Sequence, residues 1–268
     1  MSSETKKHPY HLVDPSPWPL LGSVAAVVMA IGAITYMKGG TPIYMFAGLA
    51  LILYTMYVWW RDIIKEAQTE KAHTTQVQFG LKFGVFLFIV SEVMFFVAWF
   101  WAFFNASLGH SPAGEVWPPE GIEPMGTWGL PFINTLILIT SGFVLEWGHK
   151  GLLKEDRSRA IKGVVGAVIL GAIFLGLQVH EYGEAAFGFT DGIYSSVFYM
   201  ATGFHGFHVF VGVVALAVCA LRLKKGDFTS KQHIGLLSAS WYWHFVDVVW
   251  IFLFCWVYWW GNSAFFAQ

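Results

Sequence analysis

A carboxylic acid inside a long apolar stretch is the first feature of this sequence that could do chemistry. Glu92 lies in the middle of the run FGVFLFIVSEVMFFVAWFWAFF, about 14 residues from one end of a predicted membrane span. Ionisable groups are costly in that setting, and removal from water favours the neutral form of a carboxyl group. We therefore expect a protonated Glu92. It either forms a hydrogen bond to a neighbouring helix or takes part in proton handling or lipid contact.

Histidines and acids recur in other apolar stretches. Two pairs with helical spacing and one cluster occur: His205 with His208, His244 with Asp247, and His180 with Glu181 and Glu184. Such side chains on several helices could bind a metal ion, but none of the three groups has the Glu-x-x-His spacing of a di-iron bundle. The favoured interpretation is interhelical hydrogen bonding among the fifth, sixth and seventh predicted spans, with metal binding as the alternative.

The elements that position these groups follow from composition. The 268 residues are 56% hydrophobic and 12% charged, with a net charge of -1. This excludes a disordered chain and an ordinary soluble enzyme, and it argues against a nucleic-acid-binding protein. Cys219 and Cys255 lie in apolar runs without metal-ligand spacing, so we expect inert thiols. The chain is predicted to be a polytopic membrane protein.

Seven apolar runs are long enough to cross a bilayer, and because they are continuous they predict helices and not barrel strands. The predicted spans are 18–37, 42–60, 78–104, 130–149, 160–183, 194–222 and 235–260. With the N-terminus in the cytoplasm, every Lys and Arg except Lys38 lies in or beside an inner segment. This distribution predicts a cytoplasmic N-terminus and a C-terminus on the outer side.

Several long motifs resemble those of subunit III of the haem–copper cytochrome c oxidases. They are HPYHLVDPSPWP, TMYVWWRDII, IVSEVMFFVAWFWAFF, VWPPEGIEP, FYMATGFHGFHVFVG and SWYWHFVDVVWIFLF, and they extend over almost the whole chain. The resemblance implies an all-α membrane protein with seven transmembrane helices in two bundles. Helices one and two would be separated from helices three to seven by a V-shaped cleft that holds phospholipids.

The resemblance also implies a domain organisation. The predicted segments are an N-terminal cytoplasmic segment 1–17, a two-helix bundle 18–60, a cytoplasmic connection 61–77, a five-helix bundle 78–260 and a C-terminal tail 261–268.

In such a complex, this chain would carry no haem and no copper. It would pack on subunit I, which holds the redox centres, while subunit II completes the core where cytochrome c docks. The complex would reduce oxygen to water and pump protons. The implied role of this chain is to bind phospholipids, to support proton uptake and to protect the catalytic subunit from inactivation during turnover.

Particular residues match family positions. Glu92 matches a carbodiimide-reactive carboxylate, and the lipid-binding positions are Trp60, Lys65, Glu66, His73, Trp101, Arg222 and Lys225. Lys65 stands where Arg is common, which loses the two-pronged guanidinium. Asp227 stands where some members have His. No catalytic or metal-binding residue is expected, and His205, His208, His244 and Asp247 are expected to form interhelical polar contacts.

Two alternatives stay open. One is the equivalent subunit of a quinol oxidase, although quinol-oxidase versions tend to lack the first two helices. The other is a free-standing membrane metalloenzyme or transporter. The abundance of Ala, Gly and Val favours a bacterial cytoplasmic membrane over a mitochondrial inner membrane.

Overall fold

The computed structural model describes residues 9–68, 72–108, 117–119 and 121–262, and within them regular structure is helical throughout. The predicted terminal segments 1–17 and 261–268 lie partly outside the described residues. Seven helices are long and apolar enough to cross a membrane, which confirms the predicted number of spans. They are α1 Trp18–Met37, α2 Ile43–Gln68, α3 Thr75–Ser107, α4 Leu130–Leu153, α5 Arg157–Glu184, α6 Ile193–Lys225 and α7 Ile234–Leu253, and a π-helical segment, Phe254–Trp260, continues α7.

Several helices extend beyond the predicted apolar spans. α2 continues from residue 60 to Gln68 through a segment rich in Lys, Glu, Ala and Gln, which favour helix in water as well as in lipid. α3 begins at Thr75, where the Thr74 hydroxyl accepts a hydrogen bond from the Val77 N–H at 3.3 Å. Hydropathy detects the part of a helix that crosses lipid, whereas propensity and caps set its ends.

The chain divides into two compact units, Met1–Leu81 and Lys82–Gln268. In the first unit, α1 and α2 pack backbone against backbone. A β-carbon added at Gly32 would overlap the backbone of Tyr44 and Met45, and one added at Gly48 would overlap that of Met29. Small residues allow such close approach, which is how helices associate where lipid removes the hydrophobic driving force.

In the second unit, α4 and α5 also approach closely. A β-carbon added at Gly148 would lie 2.8 Å from the Cα of Gly163. The connection between the two helices is short, and the Asp156 side chain caps α5 by accepting a hydrogen bond from the Arg159 N–H at 3.0 Å. The short loop and the two glycines therefore fix these helices as antiparallel neighbours.

The core of the second unit centres on α7. Trp243 is fully buried, and β-carbons added at Gly171 of α5 or Gly212 of α6 would collide with its ring. Its indole N–H donates to the Ser141 hydroxyl of α4 at 2.9 Å. One side chain of α7 thus contacts three other helices of the second unit.

Candidate functional site

Glu92 of α3 pairs with His208 of α6. The Glu92 Oε2 and His208 Nε2 atoms are 2.8 Å apart, and 23% of the Glu92 side chain is exposed. His208 Nδ1 lies 2.6 Å from the Phe204 carbonyl oxygen, which can only accept, so this nitrogen carries a proton. In a neutral pair, the Glu92 acid proton is donated to Nε2, and in an ion pair Nε2–H donates to the carboxylate. The two states differ only in the position of one proton.

Aromatic rings surround this pair. The His208 ring centroid lies 5.0 Å from that of Phe96 and 6.0 Å from that of Phe95, both on α3. On the α7 side, the rings of Tyr242 and Phe245 each lie 6.3 Å away. Apolar walls of this kind exclude water and strengthen the hydrogen bond inside them.

His205 and His208 share the predicted helix but have separate surroundings. His205 is fully buried, and its Nε2 lies 3.1 Å from the Val246 carbonyl oxygen of α7. Its ring packs 4.9 Å from that of Trp250. His205 therefore joins α6 to α7, whereas His208 joins α6 to α3.

His244 and Asp247 interact within α7. The His244 Nδ1 and Asp247 Oδ2 atoms are 3.3 Å apart, and the pair faces Gly142 of α4, which leaves room for the Asp247 carboxyl group. This contact lies within one helix and does not join two helices.

Glu181 of α5 is a second buried carboxyl group, and its Oε1 accepts a hydrogen bond from the Tyr258 hydroxyl at 2.6 Å. The sequence distinguishes Glu181, a carboxyl group near the end of an apolar run, but it does not distinguish Tyr258. The two are 77 positions apart, and Tyr258 lies in an aromatic-rich stretch in which nothing distinguishes it from its neighbours.

Four of the predicted lipid-binding residues lie in the last third of α2 or shortly after it, in the first unit. The Trp60 side chain is 60% exposed, and Lys65 is exposed one turn further on. Glu66 Oε2 is 3.9 Å from His11 Nδ1. His73 lies outside the helices, where burial lowers its pKa despite the opposing effect of Glu66. Trp101 belongs to the second unit, where it is exposed.

The other two predicted lipid-binding residues lie at the C-terminal end of α6. Arg222 Nε is 3.4 Å from Asp227 Oδ2, and the guanidinium group stacks 4.3 Å above the Phe228 ring. Lys225 is exposed. Asp227, one of the departures from the family pattern, thus offsets the charge of Arg222 and leaves Lys225 as the more accessible cation of the two.

In the part of the chain that the structure describes, no group of three His, Cys, Asp or Glu side chains is placed to hold a metal ion. The fold defines a polytopic helical membrane protein in which Glu92, His205 and Glu181 form hydrogen bonds between helices. Residues 8–262 match the family described as "Cytochrome c oxidase subunit III", and the chain belongs to that family.

Relatives support the same assignment. "Cytochrome c oxidase subunit 3" of Marchantia polymorpha is 52% identical over 266 residues, which cover 97% of this chain and 100% of the relative. The proteins of the same name from Arabidopsis thaliana and Scyliorhinus canicula are 50% and 49% identical, over 97% and 95% of this chain and 99% and 98% of their own lengths. Similarity of this extent makes the chain a subunit of an oxidoreductase complex.

Proposed function

We propose that this chain is the non-redox, lipid-binding subunit of a proton-pumping cytochrome c oxidase that reduces oxygen to water. Haem and copper belong to partner subunits, and subunits I and II are its protein neighbours. Its role is to support proton uptake and to protect the catalytic subunit from inactivation during turnover. The observation that carries the proposal is the Glu92–His208 pair, which can hold a proton between two membrane-spanning helices and whose Glu92 side chain is 23% exposed.

Removal of the chain tests the supporting role. An oxidase without it is expected to begin oxygen reduction at close to the normal rate and then to lose activity progressively over many turnovers. Initial rate and decay constant are measured separately in an oxygen electrode, with the intact complex as control. Immediate and total loss of electron transfer would contradict a supporting role and would favour a redox function for the chain itself.

Lipid binding is supported by two exposed side chains of α2, the indole of Trp60 and the ammonium group of Lys65. Trp suits the interface between lipid and water, and a cation there can pair with a phosphate head group. We expect the double variant Trp60→Leu, Lys65→Gln to reduce the phospholipid that stays with the purified complex. Tyr44→Leu, also at an exposed aromatic position of α2 but at its other end, serves as control and should leave the phospholipid content unchanged.

The proposed location is the bacterial cytoplasmic membrane, with the N-terminus in the cytoplasm and the C-terminus outside. The charge distribution supports the orientation, and the Ala, Gly and Val content supports the bacterial membrane. The eukaryotic relatives favour the mitochondrial inner membrane as the alternative. Protease accessibility of tags at the two termini in sealed vesicles tests the orientation.

A further inference from the structure

Three buried side chains at one end of the second unit carry polar atoms that have no partner. They are Asn134 of α4 and Gln178 and Glu181 of α5, with exposed fractions of 0%, 4% and 0%. Within the part of the chain that the structure describes, no hydrogen bond reaches either polar atom of the Asn134 amide, Gln178 Oε1 or Glu181 Oε2. Buried polar groups are almost always hydrogen-bonded, so four unpaired atoms in three side chains require an explanation.

The register of α4 and α5 brings these side chains to the same place. The two helices are antiparallel, and Gly148 of α4 lies against Gly163 of α5. Continued in this register, Asn134 is level with Gln178 to within about 1.5 Å, and Glu181 lies about one turn further along α5. Asn134 is 14 residues, about four turns, before Gly148, and Glu181 is 18 residues, about five turns, after Gly163. Both therefore return to the face on which the helices meet.

The π-helical segment that continues α7 borders the same place. The Tyr258 hydroxyl donates to Glu181 Oε1 at 2.6 Å, and Gln178 Nε2 donates to the Tyr258 hydroxyl at 3.4 Å. Each contact uses one polar atom of a carboxyl or amide group and leaves the second atom of that group unpaired. π-helical turns are uncommon and are frequent at functional sites.

The unpaired atoms define the chemistry of a ligand. Asn134 Nδ2 donates hydrogen bonds, Asn134 Oδ1 and Gln178 Oε1 accept them, and Glu181 Oε2 does either, according to whether it carries the acid proton. A metal cation would satisfy the oxygens but not the Asn134 N–H groups, and a calcium ion takes about six to eight oxygen ligands. A water molecule donates and accepts, and a buried water typically makes about three hydrogen bonds to groups that lack other partners.

We propose that Asn134, Gln178 and Glu181 form a binding site for an internal water molecule. The water accepts a hydrogen bond from Asn134 Nδ2, donates one to Gln178 Oε1 and bonds to Glu181 Oε2. It joins α4 to α5 at the end of the interface away from the Gly148–Gly163 contact. The site is separate from the Glu92–His208 pair, and it does not depend on the proposed function.

A density map of the intact complex, at a resolution that shows ordered water, tests the site without any substitution. We expect a peak within about 3.2 Å of polar atoms of all three side chains. Direct hydrogen bonds between Asn134 and Gln178 or Glu181, with no peak between them, would overturn the proposal. A peak with about six or more oxygen neighbours at about 2.3–2.6 Å would also overturn it, because that is the coordination of a cation.

A buried hydroxyl of the same unit provides the control. The Thr202 hydroxyl accepts a hydrogen bond from the Tyr182 hydroxyl at 2.7 Å and donates one to the Phe198 carbonyl oxygen at 2.6 Å. Its needs are met within the chain, so we expect no water peak beside it in the same map.

Asn134→Leu provides a second measurement, because the leucine side chain is of similar size and forms no hydrogen bond. We expect the peak to be absent from the map of the Asn134→Leu complex and to remain in that of Thr202→Val, which removes an equally buried polar group. A peak that persists in Asn134→Leu would contradict the assignment of Asn134 to the site. If Asn134→Leu does not assemble, the map of the parent complex decides.

Discussion

The α4–α5 interface and the α3–α6 interface, both in the second unit, hold helices together by different means. Between α4 and α5, Gly148 and Gly163 bring the backbones into contact. Between α3 and α6, large rings separate the backbones, with the centroids of Phe95 and Phe204 5.0 Å apart, and the Glu92–His208 contact joins the helices. The glycine at position 84 of α3 makes no close contact of the Gly148–Gly163 kind, since a β-carbon added there would meet no atom within 4 Å.

This difference matters because lipid gives no hydrophobic force between helices, so shape or polar bonding must hold them together. The α4–α5 interface depends mainly on shape, with a hydrogen bond from Arg159 Nε–H of α5 to the Trp147 carbonyl oxygen of α4 at 3.0 Å. An arginine stays protonated, so this bond contains no transferable proton. The α3–α6 interface depends on a hydrogen bond that contains a transferable proton. The two interfaces should therefore respond to different substitutions.

The largest effect is expected at the glycine interface. Gly163→Ala adds a β-carbon where the Gly148 backbone lies, and overpacking of this kind costs about 1–3 kcal/mol or more. Stability is measured as the temperature at which buried Cys219 of the purified complex begins to react with a maleimide. We expect Gly163→Ala to lower this temperature. Gly176→Ala, also on α5 but with open space around its β-carbon, is the control and should not lower that temperature. Equal effects of the two variants would show that close approach does not hold α4 to α5.

The next effect is expected at His208. His208→Leu leaves the Glu92 carboxyl group without its partner, and an unsatisfied polar group of this kind costs about 1–3 kcal/mol. His208→Gln can still hydrogen-bond to Glu92 and should recover part of the loss. The Cys219 assay again measures stability, and a His208→Leu protein as stable as the parent would mean that the rings alone hold α3 in place.

A neutral hydrogen bond in the core should matter less. Ser141→Ala removes the acceptor of the Trp243 indole N–H, and interhelical hydrogen bonds in membrane proteins average about 0.6 kcal/mol. Ser91→Ala is the control, because the Ser91 hydroxyl donates to the Phe88 carbonyl of its own helix. If Ser141→Ala destabilises the chain as much as His208→Leu, the Glu92–His208 contact contributes no more to stability than a neutral hydrogen bond does.

The smallest effect on stability and turnover is expected for Glu92→Gln, since the amide keeps a hydrogen bond to His208. Oxygen reduction should stay largely intact, whereas carbodiimide labelling of the chain should disappear. Glu181→Gln is the matched control, because Glu181 is fully buried against Tyr258 and its replacement should leave labelling unchanged. Labelling that persists in Glu92→Gln would assign the reactive carboxyl to another residue.

Hydropathy was sufficient to predict the seven spans, because each helix that crosses lipid must be apolar along its length whatever its neighbours are. α1 begins and ends where predicted, at Trp18 and Met37, since polar or turn-forming residues bound its apolar run. α2 extends further than predicted because its last turns lie beyond the apolar run, where residue propensity takes over.

The partners of the polar residues could not be predicted in the same way. Glu92 stood out as an isolated acid in an apolar run, but His208 is 116 positions away, and helical spacing relates residues only within one helix. The same applies to Glu181 with Tyr258. Neither does the sequence separate Gly163, which needs a glycine opposite it, from Gly176, which faces open space.

The sequence by itself thus determined that the chain is a seven-helix membrane protein with costly polar groups inside its spans, because the bilayer imposes that pattern on every helix separately. The tertiary structure alone decided which helix each polar group bonds and which glycines carry contacts. Those choices depend on the rotation and neighbours of each helix, which a periodicity of 3.6 residues leaves unspecified.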